Sequence, residues 1–167
     1  MKRLLMLFIP IFILLSGCQL IEESEYTCRI HFIDTGKSDC ILIESDKNVL
    51  IDAGDNDHQY EVVDYINKLG IKKLDYVVNT HPDADHCGGM DKIVEYFDIG
   101  QVFVGNGNSD KKTYKKFIEA LADKKVNPSV PLEQSILEIG EDTTIQFFNS
   151  RNTSEDTNET SLVVLLS

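Results

Sequence analysis

The chain has 167 residues, with 28 Asp and Glu against 16 Lys and Arg, and a formal net charge of −12 at pH 7. So acidic a surface repels polyanions and argues against broad nucleic-acid binding through phosphates, which needs many cationic side chains. It does not exclude a phosphodiester gripped by metal ions, and the length suits one domain with a sizeable core.

Met1-Lys2-Arg3 precedes an apolar run from Leu4 to Leu15, the pattern of a signal peptide. As helix this run spans about 18 Å, short of the ~30 Å hydrocarbon core of a bilayer, and Pro10 interrupts it. It ends Leu15-Ser16-Gly17-Cys18, which resembles the lipobox of bacterial lipoproteins. That resemblance implies cleavage before Cys18 and acyl chains on Cys18. The protein would then be anchored to the extracytoplasmic face of the cell membrane without spanning it. Residues 1–17 are then a lipoprotein signal peptide and 18–25, with Glu22, Glu23 and Glu25, a solvated tether. Residues 26–167 form the folded part.

Tyr26 to Asp34 alternates and is β-prone, and Thr35 to Ser38 reads as a turn. Cys40 to Ile43 and Val49 to Ile51 are short apolar strands around a polar turn. If Asp34 and Asp39 flank the first turn, Cys40 lies opposite Ile33, too far along for a disulfide to Cys28. Asp52 to Asp57 is a polar loop, in which a hydrated turn outweighs a calcium site. Val62, Val63, Ile66 and Leu69 then fall at helical spacing, ended by Gly70. Leu74 to Val78 is a buried strand. Met90, Ile93, Val94 and Phe97 predict a second helix, Gln101 to Val104 a strand, and Tyr114, Phe117, Ile118 and Leu121 a third helix. Ser109 or Asp110 is the expected N-cap of the third helix. Lys111, Lys112, Lys115 and Lys116 read as its solvated face. Thr143 to Phe148 is a strand, Arg151 to Asn158 a polar loop, and Leu162 to Leu166 a last apolar strand. Early hairpins followed by alternating strands and helices indicate a layered α/β (α+β) domain.

The densest chemistry lies between the buried strand and the second helix. Thr80-His81-Pro82-Asp83-Ala84-Asp85-His86-Cys87-Gly88-Gly89 places four metal-ligand types, His81, Asp83, Asp85 and His86, within six positions. In an extended segment His81, Asp83 and Asp85 would face one point, with His86 closing on it as the chain turns. The two glycines allow close backbone approach. A helix starting near Gly89 would aim free N–H groups at the site. Cys87 reads as a packing residue and His31 as structural, and His58 at a helix start has no assigned role.

The loop resembles the His-x-His-x-Asp-His signature of the metallo-β-lactamase fold superfamily. Residues 31–43, Leu50 to Gly54 and Asn158 to Leu166 resemble, in order, phrases of its ComEC-type branch of DNA-internalisation (competence) hydrolases. The resemblance implies an αββα sandwich and one or two divalent ions, zinc with manganese as the alternative. It also implies hydrolysis of an ester, amide or phosphodiester. His81 and Asp83 would serve a first metal position, and Asp85 and His86 a second. Asp85 would also receive a proton as the catalytic carboxylate, and Asp52 would orient the ligands. Asp34 and Asp39 would shape nearby turns. Asp83 stands where the wider superfamily often has histidine, and its carboxylate, a harder ligand than imidazole, would suit manganese. No histidine follows His86 and the chain ends at Ser167, so the expectation is the N-terminal half of the fold and half of a metal centre.

These features lead to the expectation of a lipid-anchored, metal-dependent hydrolase acting on a small-molecule or phosphodiester substrate, with nucleic acid disfavoured by charge. The alternative is a non-catalytic truncated lipoprotein that binds metal weakly or not at all.

Overall fold

The computed structural model describes residues 28–106 and 109–167. The signal segment, Cys18 and the tether lie outside the described residues.

Three short strands open the fold: β1 (Arg29–Phe32), β2 (Ile41–Glu44) and β3 (Val49–Ile51). They pair as antiparallel neighbours in chain order. The chain then alternates α1 (Gln59–Lys68), β4 (Lys73–Asn79), α2 (Ala84–Cys87), α3 (Met90–Tyr96), β5 (Asp98–Val104) and α4 (Lys112–Asp123). Helical crossovers let β3, β4 and β5 run parallel, completing a five-stranded sheet in the order β1-β2-β3-β4-β5. The last strands, β6 (Ile136–Gly140), β7 (Thr143–Phe148) and β8 (Val163–Leu166), form a separate antiparallel sheet.

The period-2 alternation of the strands sends residues to two cores. Leu42, Leu50, Val77, Val102 and Val104 face the helices and meet Val62, Ile66, Ile93, Phe117 and Leu121. Their neighbours Ile43, Val49, Val78 and Phe103 face the second sheet and meet Ile139, Ile145 and Phe147. Full burial of side chains such as these contributes about 1.5–3 kcal/mol each. The described residues thus make helix, sheet and sheet layers of an αββα sandwich. The outer face of the second sheet, with Ile136, Val163 and Leu165 about half exposed, carries no helix among them.

The first turn agrees with its reading. Ile33 N–H donates to Cys40 O at 3.0 Å, which sets Cys40 opposite Ile33, and Cys28, Cys40 and Cys87 are free thiols. Three local expectations change. The segment after β4 is not extended, because α2 begins at Ala84. A four-residue helix is too short to carry an apolar period, so no pattern announces it. The N-cap of α4 is Lys111, with no side-chain cap bond. Ser109 instead accepts from Lys111 N–H at 3.2 Å, and Asp110 pairs with Lys115 at 3.0 Å. β6 is also new; it is held by its register with β7, a long-range partner that local pattern does not reveal. No helix among the described residues is long and apolar enough to cross a membrane.

Candidate metal centre

The site lies where β3 and β4 end side by side, the C-terminal edge at which open α/β sheets place their ligands. Asp52 leaves β3 with φ +56°, a left-handed backbone that Asp tolerates better than most residues. Its N–H donates to Val78 O at 2.8 Å, tying it to β4. The next residue, Ala53, donates to His86 O at 2.9 Å, and Gly89 N–H donates to Gly54 O at 3.3 Å. The 52–55 loop therefore lies directly on α2 and the start of α3. A Cβ at Gly89 would stand 2.3 Å from Ala53 O, and one at Gly88 2.4 Å from the Asp55 backbone. Both glycines have ordinary helical backbones, so close approach, not a left-handed turn, is what requires them. The contact also corrects the helix-terminus expectation. The Gly89 N–H is taken by Gly54, and α3 follows straight on from α2.

Asp52 is buried and gathers four donors. Oδ1 accepts from Thr80 N–H at 2.8 Å and Asn79 Nδ2 at 3.4 Å. Oδ2 accepts from Thr80 Oγ1 at 2.6 Å and His86 Nδ1 at 2.8 Å. These bonds settle both imidazole tautomers. His86 carries its proton on Nδ1, leaving the Nε2 lone pair free. Thr80 Oγ1 has spent its only hydrogen on Asp52, so at 3.2 Å it accepts from His81 Nδ1–H, and His81 also presents Nε2. The two rings lie 3.9 Å apart between centroids.

Electrostatics separates the two histidines. Burial lowers the His81 pKa and the neighbouring His86 lowers it further, outweighing the pull of Asp52, Asp83 and Asp85. Burial also acts to lower His86, but the Asp52 hydrogen bond, followed by the charges of Asp52, Asp85 and Asp39, holds it above its ordinary value.

His81, Asp85 and His86 each offer a ligand atom, all within 4.8 Å of one another. Two imidazole nitrogens and a carboxylate oxygen are a donor set that suits zinc and also manganese, so the residues present fit a divalent ion. His86 Nε2 lies 3.8 Å from Asp85 Oδ2 and 3.6 Å from Asp39 Oδ2. Asp39 N–H donates to Asp85 O at 3.1 Å, so the first turn brings a second exposed carboxylate to the centre. Asp34 accepts from Gly36 N–H at 3.1 Å and shapes only its own turn.

Asp83 does not join this group. Its Oδ1 accepts from Lys111 Nζ at 2.5 Å and Thr157 Oγ1 at 2.8 Å. Burial would raise its pKa, but these two bonds, with the Lys111 charge, hold it below the ordinary carboxylate value. Sequence reading missed Lys111, Thr157, Thr80 and Asn79 as parts of the site; Lys111 is exposed as read, and also pairs with Asp83. Only Thr80, next to His81, carried a local signal.

The remaining groups have partners outside the candidate centre. Asp55 Oδ1 accepts from Asp57 N–H at 3.0 Å and His58 Nδ1 at 2.7 Å in the turn at the start of α1. His31 bonds Tyr65 and Glu44. Cys87 is buried in the helix-side core, where burial raises its thiol pKa, as it raises Cys40 to about 12.

A layered α/β domain that gathers imidazole and carboxylate donors in the segment just after one parallel strand has the architecture of a metal-binding domain. The chain belongs to the metallo-β-lactamase superfamily, whose family model matches residues 33–147. It is 30% identical over 105 residues to a probable metallo-hydrolase of Methanocaldococcus jannaschii, covering 58% of this chain and 49% of that one. The chain thus spans about half the length of that relative. Among solved structures it resembles a metallo-β-lactamase from Novosphingobium pentaromativorans (TM-score 0.56, 17% identity, 81% of this chain and 51% of that one). It also resembles one from Cronobacter sakazakii (TM-score 0.52, 16% identity, 74% and 52%). A third is the flavodiiron protein of Giardia intestinalis (TM-score 0.56, 17% identity, 77% and 30%). At these identities the structural likeness concerns the fold.

Proposed function

We propose that the chain forms the metal-binding part of a hydrolase of the ComEC-type branch, lipid-anchored through Cys18 on the extracytoplasmic face, acting on phosphodiesters. The observation that carries the metal-hydrolase reading is the convergence of His81, Asp85 and His86, with both Nε2 lone pairs freed by one buried carboxylate, Asp52. The lipid anchor rests on the Leu15 to Cys18 pattern, and the branch on its ordered phrases.

His81, Asp85 and His86 would hold the ion. A divalent ion there supplies Lewis acidity, polarising the substrate and acidifying water. The protein's own residues prepare the place. Asp52 and Thr80 fix the ring orientations before any ligand arrives, so little ordering is left for the moment of binding. Asp85, with a side chain 56% exposed, is open to water and can receive a proton. The acidic surface disfavours long polyanions, so a small phosphodiester fits better than duplex nucleic acid.

The test is metal uptake and turnover by the purified chain. Titration with zinc and with manganese should show a binding isotherm that His86→Ala abolishes, and a generic phosphodiester should be hydrolysed only with metal present. No uptake of either ion overturns the metal-centre reading. Uptake without turnover supports instead a non-catalytic metal-binding lipoprotein. For the anchor, Cys18→Ser should release the protein from the membrane fraction, and retention there overturns it.

A further inference from the structure

A cation of the protein's own reaches the ligand loop. Lys111, just ahead of α4, reaches across to place Nζ 2.5 Å from Asp83 Oδ1, and Thr157 Oγ1 donates to the same oxygen at 2.8 Å from the loop before β8. Asp83 is mostly buried, with 23% of its side chain exposed, so this pairing is shielded on several sides. Of the four donors in the loop, the three without such a cation converge, and the fourth is the one that Lys111 holds. A divalent ion recruiting Asp83 Oδ1 would have to displace both donors. It would also have to tolerate an ammonium within a few ångströms, a repulsion that partial burial leaves poorly screened.

Resting on the metal-centre reading above, we propose that Lys111 stands in for a metal ion at Asp83. The centre then holds one divalent ion, on His81, Asp85 and His86, without using the Asp83 carboxylate. Lys111 and Thr157 are positioning residues: they withdraw a potential ligand and tie the loop to α4 and to the 149–161 segment. A lysine, a compact point charge with three donors, suits this role.

Manganese and zinc binding to the full chain tests this, by calorimetry and by the electron paramagnetic resonance of bound manganese. The wild-type chain should take one equivalent. Asp83→Asn alone should leave its affinity unchanged within about twofold. Lys111→Met should release Asp83 and tighten the first ion about tenfold or admit a second equivalent, and Lys111→Arg should behave as wild type. Asp83→Asn in the Lys111→Met background should cancel the gain. Two equivalents in wild type, a loss of affinity in Asp83→Asn alone, or a folded Lys111→Met indistinguishable from wild type would each overturn the proposal. If Lys111→Met fails to fold, Asp83→Asn decides alone. A wild-type chain that takes no metal overturns the metal-centre reading itself, whereas one that takes metal but loses it on Asp83→Asn overturns only the role of Lys111.

Discussion

The ligand loop has two sides, and the protein treats their carboxylates in opposite ways. On one side Asp52 is buried, takes donors from Asn79, Thr80 and His86, and leaves two imidazole Nε2 lone pairs free. On the other, Asp83 sits nearer solvent and is claimed by Lys111 and Thr157. The first arrangement makes ligands available; the second takes one away. The difference teaches that residue type and spacing nominate ligands, while the charges delivered by distant segments decide which of them serve.

The largest expected effect breaks the first side. Asp52→Ala removes one partner of a buried pair and strands its donors, which should cost about 3–5 kcal/mol in chemical denaturation and weaken metal binding about 10- to 100-fold. If Asp83→Ala proves equally destabilising, the contrast between the sides disappears. Next comes the backing of the loop. Gly89→Ala should cost about 1–3 kcal/mol by overpacking, because its Cβ would meet the Ala53 carbonyl; an unchanged melting curve would show that the 52–55 loop can withdraw. Thr157→Val removes a hydrogen bond to the ionised Asp83 carboxylate and should cost about 1.5 kcal/mol, the low end for a bond to a charged group.

The smallest effect, and the sharpest, is in pH. His86 is raised above its ordinary 6.5, so its pairing with Asp52 stabilises the metal-free fold fully below that value. This stability is lost as pH rises through the folded pKa. Metal affinity runs the other way, falling on acidification as Nε2 takes a proton. Asp83 is lowered from 3.8, so its stabilisation is present above that value and is lost as pH falls through the folded pKa. Proton resonances of the metal-free protein should show His86 titrating above His81, and Asp52→Asn should lower His86. The reverse order of the two histidines would contradict the assignment of Asp52 as the proton-fixing partner.

Much of the frame was readable from local pattern. The apolar periods of α1, α3 and α4 and the runs of β3, β4 and β7 are strong because each buries a face against the sheet or the second layer. The Ile33 and Cys40 pairing followed from turn length alone. α2 and β6 escaped, the one too short to show a period and the other specified by a partner strand. In the site, His81, Asp85 and His86 were found by residue type. The extended geometry used to bring them together was wrong: a helical turn, not a strand, presents Asp85 and His86.

The sequence by itself determined the layered architecture and the short loop that carries the candidate metal donors, because apolar periodicity and ligand chemistry are local properties, and its motifs carried the resemblance to the superfamily. Only the tertiary structure decided the fates of the two aspartates. Asp52 reaches His86 from 34 positions away, and Thr157 reaches Asp83 from 74. Burial and charge at such points depend on which segments the fold brings together, and no window of sequence contains both partners.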